Sequence, residues 1–93
     1  MTTVWLLDQD ALPADSPATD GDLVLRETGG EVAVGEVRSG SAVWYDERVA
    51  AALLPPGSLA DAEPVGSLRR PREQEALVTA VRGVHSASME RGG

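Results

Sequence analysis

The sequence has no cysteine, no lysine, no phenylalanine and only one histidine. The lack of cysteine excludes disulfides and thiol nucleophiles, and one histidine is too few for a zinc site with several nitrogen or sulfur ligands. That histidine, His85, is adjacent to Ser86 at the end of a predicted helix, where neighbouring side chains do not face each other as a nucleophile and a base must. We therefore predict no catalytic residues, no metal ion and no other cofactor.

Large apolar side chains are also scarce. The 93 residues are 42% hydrophobic, mainly Ala, Val and Leu, and the aromatic residues are two tryptophans and one tyrosine. This length allows one domain. Because burial contributes about 25 cal/mol per Å² of apolar surface, small side chains predict a stability near the low end of the usual range.

Positive charge is scarce as well. Eight basic residues, all arginine, stand against fifteen acidic ones, and the net charge is −7 at pH 7. Such a chain repels a phosphate backbone, so we expect no nucleic-acid partner. The N-terminal segment MTTVWLLDQD has no basic stretch and too short an apolar run for a signal peptide or a membrane span, so we expect no membrane partner and a cytoplasmic location. The lack of Lys, Asn, Ile and Phe is typical of a GC-rich bacterial or phage genome.

Apolar residues predict β-structure in the first half of the chain. Gly29-Gly30 suits a two-residue hairpin turn, which needs positive φ at both central positions, and this closure places Leu25 opposite Val34. Val37 is out of phase with the valines before it, so Gly35 marks a bulge or the start of a bend. The predicted elements are a strand over 3–7, a loop over 8–21, a hairpin over 22–37 and a strand over 42–45.

Two helices are predicted in the second half. Asp46 can cap a helix over 47–54, which Pro55 ends. Pro71 suits the first turn of a second helix that runs to residue 85. Residues 55–68 are expected to form a loop, and 86–93 a flexible tail after a single domain over 1–85. The predicted fold class is α+β, with a small, mainly antiparallel sheet of three to four strands and two C-terminal helices packed on one face.

Two groups of residues are candidates for contact with a partner. Trp44 and Tyr45 are adjacent, and neighbours in a regular strand point to opposite faces, so one of them is a candidate exposed anchor. Arg69, Arg70 and Arg72 form the only basic cluster, which could dock an acidic peptide or a phosphate group. The alternative interpretation of this cluster is solvated surface charge.

Two short motifs resemble those of known families. Asp8-Gln9-Asp10, after a predicted strand, resembles the opening motif of haloacid-dehalogenase-like phosphatases, but the lysine and the later acidic pair of that family have no counterpart. Arg91-Gly92-Gly93 resembles the C-terminal diglycine of ubiquitin-like modifiers and sulfur carriers. That resemblance implies activation at the carboxylate of Gly93, although those families have strands, not a long helix, before the tail.

Together these features predict a non-catalytic protein–protein interaction module, an accessory or assembly subunit of a bacterial or phage complex. Its partner is either another protein or a second copy of the chain. Two alternatives remain open. One is a carrier activated at Gly92-Gly93, and the other is an acidic inhibitor or antitoxin-like protein that occupies a basic site.

Overall fold

One six-stranded mixed sheet forms the centre of the protein. A computed structural model describes residues 2–55 and 57–92, the last nine of these by their backbone alone. The strands are β1 (Val4–Leu6), β2 (Leu23–Thr28), β3 (Glu31–Arg38), β4 (Ser41–Ala50), β5 (Glu63–Val65) and β6 (Leu68–Arg70), in the spatial order β4-β3-β2-β1-β6-β5. A 3₁₀ turn over Ala51–Leu53 follows β4, and helix α1 (Gln74–Gly92) follows β6. Among the described helices, none is long and apolar enough to cross a membrane.

The predicted fold class was wrong in strand number, sheet type and helix number. The sheet has six strands, it is mixed because β1 and β2 run parallel, and in the described residues a single α-helix accompanies it. A parallel pair needs a crossover connection of about a dozen residues or more, and the segment from Leu7 to Asp22 supplies one without a helix. On its other side β1 pairs antiparallel with β6.

The segment predicted as the first helix forms instead the second half of β4 and the 3₁₀ turn. Val49 pairs with Val32 of β3, and Arg48 pairs with Ala33. A helix shorter than about 12 residues is marginal in water, whereas the strand gains backbone hydrogen bonds to β3 and buries Val49. Asp46 therefore lies in the middle of β4 and caps no helix.

The first hairpin and its turn agree with the prediction. Leu25 pairs with Val34, and Gly29 and Gly30 have φ of 56° and 86°. The register between β3 and β4 shifts between Ala33 and Gly35, which confirms the irregularity predicted at Gly35.

A second hairpin, formed by β5 and β6, lies in the segment predicted as a loop. Val65 pairs with Leu68 across Gly66-Ser67, and Gly66 has φ of 60°. A Gly-Ser pair between apolar residues is itself a hairpin signal. This hairpin was not predicted because its two strands have only three residues each.

Each face of the sheet carries an apolar layer. The helix face, covered by α1, includes Leu25, Val34, Leu77 and Val81. The loop face is covered by the 8–21 segment, and its buried residues are Trp5, Leu7, Val24, Val37 and Leu68. Alternate residues of β1 therefore enter different layers, which is why its sequence is continuously apolar.

Gln74 joins α1 to β1 by pairing with the backbone of Val4. Its amide accepts from Val4 N–H at 2.7 Å and donates to Val4 C=O at 3.0 Å. Gln74→Glu is expected to lower the free energy of unfolding by about 1–3 kcal/mol, because a carboxylate cannot donate to the Val4 carbonyl. Urea unfolding measures the loss. Gln9→Glu adds the same charge on an exposed loop residue, and an equal loss in that control would contradict the prediction.

Candidate functional site

Trp44 and Tyr45 lie on β4 and leave it on opposite faces of the sheet. Trp44 packs against the layer on the loop face, and its indole N–H donates to the backbone carbonyl of Asp10 at 2.8 Å. Tyr45 packs against the layer on the helix face. Both side chains are half-buried. The two candidates for an exposed anchor thus lie on either side of one strand, and neither is fully exposed.

The phenol of Tyr45 stays protonated at neutral pH. Burial raises the pKa of Tyr45 above its ordinary value of 10.0, the carboxylates of Glu36 and Glu47 raise this pKa further, and Arg38 opposes them. Tyr45 is therefore a hydrogen-bond donor on the helix side of β4.

β4 is also the open edge of the sheet. It has ten residues and occupies one outer position, whereas the opposite outer strand, β5, has three residues and contains Pro64. Natural sheets protect their edges with short strands and with proline, because unpaired backbone groups attract another chain. By this criterion β5 is protected, and β4 offers the long edge within the described part of the chain.

The hydrogen-bonding alternation identifies which backbone groups of β4 face away from β3. Val37 of β3 donates to Asp22 O at 2.8 Å and accepts from Gly21 N–H at 2.9 Å, so its backbone groups face β2. Those of the adjacent Glu36 face β4, where its partner is Val43. The backbone groups of Ala42 and Trp44 consequently face outward.

A backbone hydrogen bond also fixes the orientation at the other end of β4. Ala51 donates its N–H to Gly30 O at 2.9 Å, which turns the backbone groups of Ala51 and Val49 toward β3. Those of Arg48 and Ala50 then face outward. We call residues 42, 44, 48 and 50 the outward positions. They flank Asp46 symmetrically along the chain.

The middle of this edge is charged and irregular. The register shift between β3 and β4 falls there, next to the charged residues Asp46, Glu47 and Arg48. Bulges and charges on an edge strand hinder unspecific pairing. Arg48 is exposed and forms no ion pair with any other described residue. The edge therefore favours a strand that complements its charges.

A cavity of about 330 Å³ lies beside this edge on the loop face. Ala33 contributes to its lining, together with Trp44, Arg48 and the ion pair of Arg26 with Asp10 at 2.6 Å. Because the cavity lies next to the outward positions, it can receive a side chain of a strand added to β4.

The arginine cluster lies elsewhere in the sheet. Arg69 pairs with Asp8 at 2.6 Å and Arg70 pairs with Glu63 at 3.3 Å, whereas Arg72 is exposed and makes no ion pair within the described residues. Strands β3, β2 and β1 separate β6 from β4, so four strand spacings of about 4.8 Å lie between them. The structure does not bring the cluster together with Trp44 and Tyr45.

The remaining candidates form no joint site. Asp8 and Asp10 pair with different arginines, and no group of three His, Cys, Asp or Glu among the described residues could hold a metal ion. The side chain of His85 lies outside the described ones. Helix α1 continues beyond residue 85 to Gly92, and Gly93 lies outside the described residues.

Arg48 and Ala50 were not predicted as edge residues, because a helix was expected over 47–54. A signal for the strand was present, since Val43, Tyr45 and Val49 are separated by even intervals, which is the period of one strand face. No family model, curated protein or solved structure matches this chain.

Proposed function

We propose that this protein is a non-catalytic interaction module, an accessory or assembly subunit of a bacterial or phage complex in the cytoplasm, which binds a partner by adding the partner's strand to β4. The ten-residue outer strand carries this proposal, because its outward backbone groups are available while the opposite edge ends in a short strand with Pro64. In strand addition the backbone hydrogen bonds supply affinity, and alternate side chains supply specificity.

Side chains on both faces support this mode of binding. Trp44 borders the cavity on the loop face, and Tyr45 lies on the helix face, so an added strand would contact one aromatic residue on each side. Aromatic residues and arginine are frequent hot spots at interfaces. Arg48 supplies the charge at this edge. Within the arginine cluster, Arg69 and Arg70 are held in ion pairs. Arg72 makes no ion pair within the described residues, and its charge therefore suits a contact at the rim of an interface.

The test compares two double variants of the outward positions. Ala42→Pro/Ala50→Pro removes two outward N–H groups without breaking hydrogen bonds to β3, and Ala42→Thr/Ala50→Thr changes the same side chains but keeps the N–H groups. We expect the wild-type chain and the threonine variant to capture the same partner from the native host, and the proline variant to lose it. Thermal unfolding of both variants controls for folding.

Amide hydrogen exchange in the reconstituted complex locates the contact. We expect binding to slow exchange at least about tenfold at the outward positions, with little change at Val43 and Val49, which already face β3. A partner that binds the proline variant as tightly as the wild type, or that leaves the outward amides unprotected, would refute strand addition.

A further inference from the structure

We propose that the strand added to β4 is β4 of a second copy of this chain, antiparallel, with Asp46 at the twofold axis. This inference rests on the proposed function, because it uses the same edge and names its occupant. The reason lies in the symmetry of the outward positions. Rotation about an axis perpendicular to the sheet, beside residue 46 and midway between the two β4 strands, places Ala42 opposite Ala50 and Trp44 opposite Arg48. Each of these pairs occurs twice, and outward backbone groups meet outward backbone groups.

The side chains complement one another in this register. On the loop face, Arg48 of the second copy lies over the indole of Trp44, where a guanidinium and an aromatic ring attract each other. On the helix face, Val43 lies opposite Val49 of the second copy. Val43 is 41% exposed in the single chain, one of the large apolar side chains that the fold leaves uncovered. Val49 is only 3% exposed in its own copy, so it is mainly the backbone of the added strand that would cover Val43.

Neighbouring registers are less complementary. With the axis at Tyr45, Val43 faces Glu47 and Trp44 faces Asp46. With the axis at Glu47, Asp46 faces Arg48, but two Glu47 carboxylates face each other and Val43 lies opposite Ala51, beyond the end of β4. With the axis at Arg48, two arginines face each other. An axis beside the bond between two consecutive residues is excluded. It would place side chains from opposite faces of the sheet opposite each other, whereas paired residues of antiparallel strands have their side chains on the same face. The register about Asp46 has one repulsive element, the two Asp46 carboxylates at the axis, and this repulsion offers a specific test.

The assembly also closes on itself. Joining two six-stranded sheets at β4 leaves a β5 strand at each outer edge, with three residues and Pro64. Neither end then offers a long strand for further growth. The expected assembly is therefore a dimer and not a fibre.

Sedimentation of the purified full chain over a range of concentrations tests the dimer. We expect a species of twice the chain mass of 9.7 kDa, which the proline variant loses and the threonine variant keeps. Asp46→Asn removes the repulsion at the axis and is expected to lower the dissociation constant of the dimer by up to about fivefold. Asp15→Asn, an equal charge change on an exposed loop residue, should leave it unchanged.

A crosslinking measurement does not depend on the folding of the proline variant. Because the chain has no cysteine, Asp46→Cys introduces a single thiol at the axis, where the Cα atoms of facing residues lie within the range for a disulfide. We expect mild oxidation to give a covalent dimer with Asp46→Cys and not with Asp15→Cys.

The possible outcomes separate the two proposals. A chain that stays monomeric while a different protein protects the outward amides would overturn the second copy as occupant and keep strand addition. A dimer unaffected by the proline substitutions would overturn the second copy as occupant, and it would overturn strand addition as well if no other protein protects the outward amides. A dimer sensitive to proline, yet indifferent to Asp46→Asn and not crosslinked through Asp46→Cys, would overturn the register about Asp46.

Discussion

Asp22→Ala is expected to lower the free energy of unfolding by about 3–5 kcal/mol, a large part of the 5–15 kcal/mol typical of a small domain. Asp22 is 6% exposed and lies where β1, the crossover segment and β2 meet. One carboxylate oxygen accepts the Trp5 indole N–H at 2.9 Å, Thr19 N–H at 3.0 Å and the Thr19 hydroxyl at 3.2 Å. The other accepts Thr3 N–H at 3.2 Å.

The loss is large because alanine leaves a buried indole N–H without an acceptor and releases both ends of the crossover that permits the parallel pair. Urea unfolding followed by tryptophan fluorescence measures the change. Asp22→Asn keeps one acceptor oxygen but directs an amide donor at groups that are themselves donors. We therefore expect its free energy of unfolding to lie between that of the wild type and that of the alanine variant. An alanine variant that loses less than about 1 kcal/mol would contradict this account.

Asp22 also makes the free energy of unfolding depend on pH in the acid range. Burial alone would raise its pKa, but the hydrogen bonds from Thr19, Trp5 and Thr3 together outweigh burial and hold the pKa of Asp22 below its ordinary value of 3.8. The unfolded chain therefore binds the proton more tightly than the folded one. The stability contributed by the ionised carboxylate is complete above the unfolded pKa and is lost as the pH falls below about 3.8, through the folded pKa.

We expect the free energy of unfolding of the wild type to fall more steeply in that acid range than that of Asp22→Asn, whose amide does not titrate. Asp15→Asn is the matched control, because Asp15 is exposed and its side chain makes no hydrogen bond within the described residues. Measuring this control over the same pH range separates the loss of any carboxylate from the loss of the hydrogen-bonded one. Equal slopes in all three proteins would exclude Asp22 as the source.

The first hairpin was predictable because its signals are local. A pair of glycines that can adopt positive φ, between two alternating apolar runs, fixes the turn and the pairing of Leu25 with Val34. The pairing of β1 with β2 and β6 was not predictable in this way, because it joins segments distant along the chain. It depends on a buried carboxylate, Asp22, whose partners Thr3 and Thr19 lie on separate elements.

The failed helix has a different cause. Val49, Ala50, Leu53 and Leu54 have helical spacing, and alanine favours a helix. The hairpin, however, leaves the backbone groups on one side of the long strand β3 without a partner. Pairing with those groups stabilises residues 47–50 as a strand more than an isolated short helix could be stabilised in water. The local preference therefore yields to tertiary context.

The same context changes the meaning of the two adjacent aromatic residues. Trp44 and Tyr45 do face opposite ways on their strand, but one ring would be exposed only if a single face of the sheet were covered. Here α1 covers one face and the 8–21 segment covers the other, so both rings are half-buried. What remains accessible at this position is the backbone edge, and a pattern of side chains does not reveal it.

Gly35→Ala is expected to destabilise the protein by about 3 kcal/mol or more, at or beyond the upper end of ordinary overpacking. Gly35 pairs with Trp44 at the register shift. A Cβ at residue 35 would lie 2.5 Å from the carbonyl oxygen of Val43, 2.9 Å from Cα of Trp44 and 3.1 Å from Cε3 of its ring. Two of these atoms belong to the backbone of β4, so the strand itself must move.

Gly83→Ala is the informative control, since a Cβ there meets no described atom within 4 Å outside the adjacent helix backbone, and the residue lies inside α1. The same chemical change should raise stability by about 0.5–1 kcal/mol at this position, because alanine favours a helix over glycine. Displacement of β4 also moves Trp44 away from Asp10 O. We therefore expect Gly35→Ala to change tryptophan fluorescence and to weaken binding at the outward positions, while Gly83→Ala does neither. A Gly35→Ala variant as stable as the wild type would contradict this prediction. It would show that the close approach of Gly35 to the backbone of β4 does not determine the conformation of this edge strand.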